Sequence, residues 1–217
     1  MSAPPTARLS PTTQIAEHVA AAQRLEELLP NLRTVGDALI EVFRRGGRLY
    51  TFGNGGSAAD AQHLAGEFIG RYLRERRALP AVSLVTDPSV VSCIGNDYAY
   101  EEVFARQVEA LVTGDDMVVG FTTSGRSANV IRGLEEAGKR GARTVLFAGG
   151  DNDGMPAAAH AEHVLVAPAH TTARIQEMHL TLLHLLSEHV DAWAAGPDAD
   201  HLPLDHHPHD HRPEAAV

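Results

Sequence analysis

No apolar run in the chain approaches the roughly 20 residues that a bilayer span requires. The first residues, MSAPPTARLSPTTQ, lack the charged head and apolar stretch of a secretory signal. Cysteine is almost missing: Cys93 stands alone, which forbids an intrachain disulfide and fits a reducing compartment, so a cytoplasmic protein is predicted. Basic charge is also short, with 18 Lys and Arg against 28 Asp and Glu and a formal net charge of −10. Duplex nucleic acid and anionic membranes recruit proteins by releasing counterions to a basic face, so neither is expected as a partner. Lysine is represented only by Lys139 beside 17 arginines, which reads as compositional bias without functional content. What is present is an ordinary globular composition: 217 residues, 44% hydrophobic, enough for one domain with a sizeable core.

Residues 1–12 carry three prolines and no apolar periodicity, and residues 194–217 are rich in Pro, Asp and His. Both ends are predicted to be disordered, leaving an ordered domain over residues 13–193. Gln14 to Arg45 has helical apolar spacing interrupted by Pro30, which predicts two helices or one sharply kinked one. Five β-rich runs follow, at Arg48–Phe52, Ala81–Val85, Met117–Thr122, Arg143–Phe147 and His163–Val166, each succeeded by a turn and a helical segment. That alternation predicts an α/β fold, a parallel five-stranded sheet covered by helices on both faces, with an N-terminal helical extension. The last helix, opening at Thr171 or Thr172 and ending near Trp193, begins with a threonine able to cap it.

In open parallel sheets, ligands sit at the carboxyl ends of the strands, and the unusual loops are placed there. After the first strand comes Gly53-Asn54-Gly55-Gly56-Ser57, then a helix. Glycines let backbone approach a ligand, and a helix N-terminus offers unpaired amides to an anion, although an ordinary tight turn explains the same residues. The third strand ends in Thr122-Thr123-Ser124-Gly125-Arg126-Ser127, again just before a helix. A single capping hydroxyl leaves the other three unexplained, and two such loops at one sheet edge predict a phosphorylated small molecule. Neither loop has the Gly-Lys-Ser/Thr of a Walker A motif or a GxGxxG, so no nucleotide cofactor is expected.

His63 and Glu67 lie four residues apart and project from one helical face, a spacing suited to a divalent metal or to acid–base work. The last helix contributes Gln176 and His184 beside its apolar stripe. A core histidine and an interhelical hydrogen bond are the plain readings of these two. Eight residues correspond to about 12 Å of rise and roughly 80° of rotation, so a site using both is stretched along the helix or completed by a second subunit.

The segments GNGGSAADAQHLAGEFIGRY, SCIGNDYAYEEVF, TTSGRSANVI and ARIQEMHLTLLH together resemble the phosphoheptose isomerases, the sedoheptulose 7-phosphate isomerases of the SIS (sugar isomerase) domain superfamily. The resemblance spans roughly residues 13–193. It implies a homotetramer of three-layer αβα, flavodoxin-like subunits, with active sites at subunit interfaces and one zinc ion per subunit. Carried over by motif, His63, Glu67, Gln176 and His184 would be the metal ligands. Asn54, Gly55, Gly56, Ser57, Glu67, Asn96, Asp97, Thr122, Thr123, Ser124, Ser127 and Gln176 would line the substrate, with Ser57 and the 122–127 loop nearest its phosphate. The implied reaction converts D-sedoheptulose 7-phosphate to D-glycero-D-manno-heptose 7-phosphate through an enediol, with Glu67 as base and His184 as acid/base. The family commonly has Ser where Thr122 stands, which keeps the hydroxyl. Some members carry an acidic residue at the position of Ala173, whose absence bears on how the sugar hydroxyls are held.

The alternative is a non-catalytic SIS adaptor that binds the replication initiator DnaA; such proteins lack the catalytic residues at the positions of Glu67 and His184, and both are present here. A sugar-phosphate-sensing regulator would carry a DNA-binding segment, and neither end is basic and helical. His201, His206, His207, His209 and His211 in the tail read as a solvated extension able to bind metal adventitiously.

Overall fold

Each of the five β-rich runs forms a strand, and all of them pair in parallel. A computed structural model describes residues 10–150 and 154–197; residues 1–9 and 198–217, expected to be loose, lie outside the described residues, as do the five tail histidines. In chain order the elements are α1 (Pro11–Arg24), α2 (Leu29–Arg44), β1 (Leu49–Gly53), α3 (Gly56–Ile69), β2 (Ala81–Ser83), α4 (Pro88–Asp97), α5 (Ala105–Leu111), β3 (Met117–Phe121), α6 (Ala128–Lys139), β4 (Arg143–Gly149), β5 (His163–Ala167) and α7 (Thr172–Ala194). The strand order is β2-β1-β3-β4-β5, the flavodoxin-like arrangement. Among the described residues no helix is long and apolar enough to cross a membrane.

A sheet covered on both sides needs apolar residues at every strand position, and β1 and β3 are buried throughout. Successive side chains alternate between two cores. Met117, Val119 and Phe121 face a core shared with Leu39, Leu64, Phe68, Leu182 and Leu186, from α2, α3 and α7. Val118 faces the other, with Val108, Val130 and Leu134 from α5 and α6. The result is the expected three-layer αβα sandwich, with α1 and α2 added to the layer that holds α3 and α7.

Local differences from the sequence reading have identifiable causes. The first helix starts at Pro11, two residues before the expected boundary, because Ser10 accepts a hydrogen bond from Thr13 N and caps it. The break before α2 is a 3-10 turn at Leu25–Leu28, and Pro30 sits in the first turn of α2, where a missing N–H costs nothing. The edge strand β2 stops at Ser83, since Thr86 Oγ1 donates to Ser83 O at 3.0 Å and turns the chain. Thr171 holds the cap position of α7, but its side chain makes no capping bond.

His179 of α7 is fully buried, its ring 5.9 Å from those of Phe121 and Phe147, and its Nε2–H donates to Ala148 O at 2.9 Å. Burial is the main cause that pulls its pKa down to about 4, against the opposing pull of the Ala148 carbonyl. The unfolded chain, with an ordinary imidazole, therefore binds a proton that the folded chain refuses as pH falls from about 6.5 to about 4. Stability is predicted to fall over that window with an added slope approaching ~1.4 kcal/mol per pH unit, and to level off below it. Urea unfolding of the His179→Gln protein should lack this added slope; parallel profiles for the two proteins would remove His179 as its source.

Candidate active site

The crevice that binds ligands in such sheets opens where neighbouring strands send their chains in opposite directions, here between β1 and β3. Its two rims are the 53–57 and 122–127 loops. Gly55 adopts φ +58°, a left-handed conformation that favours glycine, and both Gly55 and Gly56 are exposed. Ser57, by contrast, is buried, and its amide donates to Asn54 O at 3.0 Å. Neither α3 nor α6 has a side-chain cap at its N-terminus. The helix start beside the hydroxyl loop is therefore not explained by capping: Ser127 Oγ instead pairs with Thr122 Oγ1 at 3.2 Å. Ser124 is exposed and its Oγ accepts from Arg126 N at 3.2 Å, while Thr123 is half-buried. Two uncapped helix starts and a row of hydroxyls face the same edge, a setting that favours an anion.

Asn54 is held by a partner that sequence reasoning did not single out. Its Nδ2 donates to Asn129 Oδ1 and Asn129 Nδ2 donates back to Asn54 Oδ1, both at 2.8 Å. Asn129 is buried in the first turn of α6, so this reciprocal amide pair ties the two rims together. Tyr100 adds a third bond, its hydroxyl donating to Asn54 Oδ1 at 3.2 Å. Asn96 and Asp97 lie exposed at the end of α4 and bond to each other at 2.8 Å, a few residues before that tyrosine. The signal for Asn129 was its position in the first turn of a helix that follows a hydroxyl loop; its pairing required the fold.

The chemistry-bearing trio assembles from α3 and α7. His63 Nε2 lies 2.8 Å from Glu67 Oε1 and 3.3 Å from His184 Nε2. The ligand atoms of His63, Glu67 and His184 all fall within 4.8 Å of one another, forming a cluster of the kind that can hold a metal ion. All three side chains are half-buried. Burial is the main cause that lowers the pKa of His184; the charge of His63 adds to this and Glu67 opposes it. Tyr72 leans on the His184 ring with centroids 5.7 Å apart.

Gln176 lies two turns earlier on α7. Its amide rests so close over Gly56 that a Cβ there would fall 2.5 Å from Gln176 Nε2, so a side chain at the last glycine of the loop would push this amide aside. Within one chain Gln176 thus stands at the glycine-loop end of α3, and the histidine–glutamate trio at the other. Asp60, one turn before His63, was also missed. It is buried with Oδ2 unpartnered, and burial raises its pKa to about 6, with His63 acting in the opposite sense. The spacing that pairs His63 with Glu67 also places Asp60 near that face.

Comparison with known proteins identifies relatives of the whole fold. The SIS domain family model matches residues 14–149. The phosphoheptose isomerase of Roseiflexus sp. (strain RS-1) is 49% identical over 167 residues, covering 77% of this chain and 84% of its own length. That of Aquifex aeolicus is 48% identical over 157 residues, covering 72% and 81% respectively. The solved phosphoheptose isomerase GmhA from Neisseria gonorrhoeae superposes with a TM-score of 0.77 at 37% identity, covering 83% of this chain and 96% of that one.

The amide pair across the crevice makes a direct prediction. Asn129→Ala strands the Asn54 amide at a half-buried position and should cost about 1–3 kcal/mol in urea unfolding. An unchanged midpoint would mean that the pair does not join the rims.

Proposed function

Because the chain belongs to the SIS domain family and, within it, to the phosphoheptose isomerases, and is therefore an isomerase, we propose that it converts D-sedoheptulose 7-phosphate to D-glycero-D-manno-heptose 7-phosphate in heptose biosynthesis. The observation that carries this reading is the convergence of His63, Glu67 and His184 from two helices beside a crevice suited to a phosphate. The same convergence favours catalysis over a DnaA-binding adaptor, which would have no use for it. In this reading Gly55, Gly56, Ser57, Thr122, Thr123, Ser124 and Ser127 grip the phosphate end, while Asn54, Asn96, Asp97 and Gln176 orient the sugar.

The ketose has its carbonyl at C2, and the aldose has it at C1. Glu67 removes a proton from C1 and returns it to C2, while His184 gives a proton to O2 and accepts one from O1, so that the enediol forms and collapses without net loss of protons. A neutral imidazole carries one nitrogen that donates and one that accepts, so His184 can serve this exchange only while the nitrogen it uses is not held by a metal. The donor set of two imidazole nitrogens and a carboxylate oxygen within 4.8 Å fits zinc; Gln176, held over Gly56 at the other end of α3, would join as a further ligand only if its side chain swung away or a second subunit supplied it. When bound, the metal supplies a Lewis acid that polarises the sugar's carbonyl and hydroxyl oxygens. A carboxylate cannot be a tight ligand and a free base at once, so Glu67 moves between the two roles or binds the metal weakly.

A second subunit completes the site in this reading. Ile69 and Leu73, on either side of the turn that follows Glu67, are 53% and 64% exposed, and Leu180 and Leu185 flank His184 on the surface of α7. Apolar groups gathered beside a reacting centre are covered economically by another copy in a homotetramer.

Purified, metal-replete protein incubated with sedoheptulose 7-phosphate should yield the manno aldose, identified by NMR from its configuration at C2. Glu67→Gln should lower turnover by at least about 10²-fold with an unchanged circular dichroism spectrum. Absence of any aldose, or full activity without the carboxylate, would overturn the assignment. Zinc should remain at about one per subunit after removal of the tail beyond Pro197, as counted by atomic emission.

A further inference from the structure

Between α3 and β2 the chain reads RYLRERRALP, which by composition is a solvated loop. Yet the side chains of Arg76 and Asp191 are both completely buried, and Arg76 Nε donates to Asp191 Oδ1 at 2.9 Å. The rest of the guanidinium bonds to main chain. One terminal nitrogen donates to Glu67 O at 2.7 Å, and the other reaches Phe68 O and Arg77 O at 2.9 Å and Gly70 O at 3.3 Å. Carbonyls in the last turn of a helix have no partner further along it, and a cation there also meets the negative end of the helix dipole. Asp191 Oδ2 meanwhile accepts from Arg74 N at 2.9 Å and from Leu73 N and the half-exposed Arg74 Nη1 at 3.3 Å, and Arg74 Nη2 donates to Glu188 Oε1 at 2.7 Å.

Asp191 stands seven residues after His184, two turns along the same face of α7. One buried ion pair thus joins the turn of α3 that carries Glu67 to the face of α7 that carries His184. The same anchorage seats Tyr72 against the His184 ring. Burial of two charges is weak ground for a stabilising role, because desolvation offsets their attraction. What the pair adds is geometry: a rigid planar fork fixes several acceptors at once, which a lysine ammonium does not reproduce.

We propose that Arg76, held by Asp191, is a positioning residue for the isomerisation: it sets the spacing of α3 and α7 at which Glu67 and His184 reach one sugar. It touches no substrate. The proposal rests on the reading of Glu67 and His184 as the reacting pair.

Full-length Arg76→Lys, Asp191→Asn, Glu67→Gln and Val108→Ala proteins, loaded with zinc, are compared on sedoheptulose 7-phosphate well below their melting temperatures. Arg76→Lys should lose about 10- to 100-fold in kcat with KM within about twofold, because misplaced reacting groups slow chemistry while the phosphate grip is intact. Asp191→Asn should fall in the same direction. Val108→Ala opens a cavity in the opposite core and should lose stability while keeping kcat. Near-native kcat in Arg76→Lys, or an equal kcat loss in Val108→Ala, overturns the proposal; should Arg76→Lys not fold, Asp191→Asn decides by the same split. An active Glu67→Gln protein overturns the reading of the site and the proposal with it, whereas an inactive one beside a fully active Arg76→Lys overturns the proposal alone.

Discussion

The approach of α3 to α7 is the constraint on which the site depends. His63 and Glu67 come from one helix and His184 from another more than a hundred residues later, so their meeting is a matter of helix packing. Leu64 and Phe68 on α3, with Leu182, Leu183 and Leu186 on α7, share the core beneath β1 and β3. Apolar burial of this kind draws the helices together but is non-directional. It sets which faces meet more firmly than it sets how far one helix slides along the other. Close contacts add that register, through the packing of Gln176 over Gly56 at one end of α3 and the ion pair of Arg76 with Asp191 at the other.

The sheet supplies the second requirement. Because β1 lies between β2 and β3, the loops after β1 and β3 rise side by side and their helices diverge, leaving the crevice between them. The Asn54–Asn129 amide pair crosses that crevice at its base. The rims above it present backbone, hydroxyls and two uncapped helix starts, a setting that favours an anion.

Much of this was legible in the sequence, for physical reasons that differ by element. Central strands buried on both faces are continuous apolar runs bounded by Gly, Asp or Ser, so β1, β3 and β4 were placed to within one or two residues; the edge strands also fell within two residues, β2 drawn too long and β5 one residue short. The His63–Glu67 pair is local and followed from helical spacing. Arg76 was not legible, because a charged residue among charged residues reads as solvated, and its burial depends on Asp191, 115 positions away. Asn129 and Tyr100 escaped for the same reason: each acts through Asn54, 75 and 46 positions away respectively. Asp60 was within reach, since it precedes His63 by one turn, but its burial against the core belongs to packing.

The place of α7 in the chain has a consequence for synthesis. This helix is the last element of the described fold, yet it lies against α2 and α3 from the first third and brings the second imidazole to the first. A ribosome-bound chain halted before Thr172 would hold both loops of the crevice, all five strands and the α1–α3 part of the layer on that side of the sheet, but would lack His184 and the apolar face of α7 that completes the layer. The cluster of His63, Glu67 and His184 therefore forms only with the final helix, and a truncated translation product would be left with the apolar surface that α7 otherwise covers.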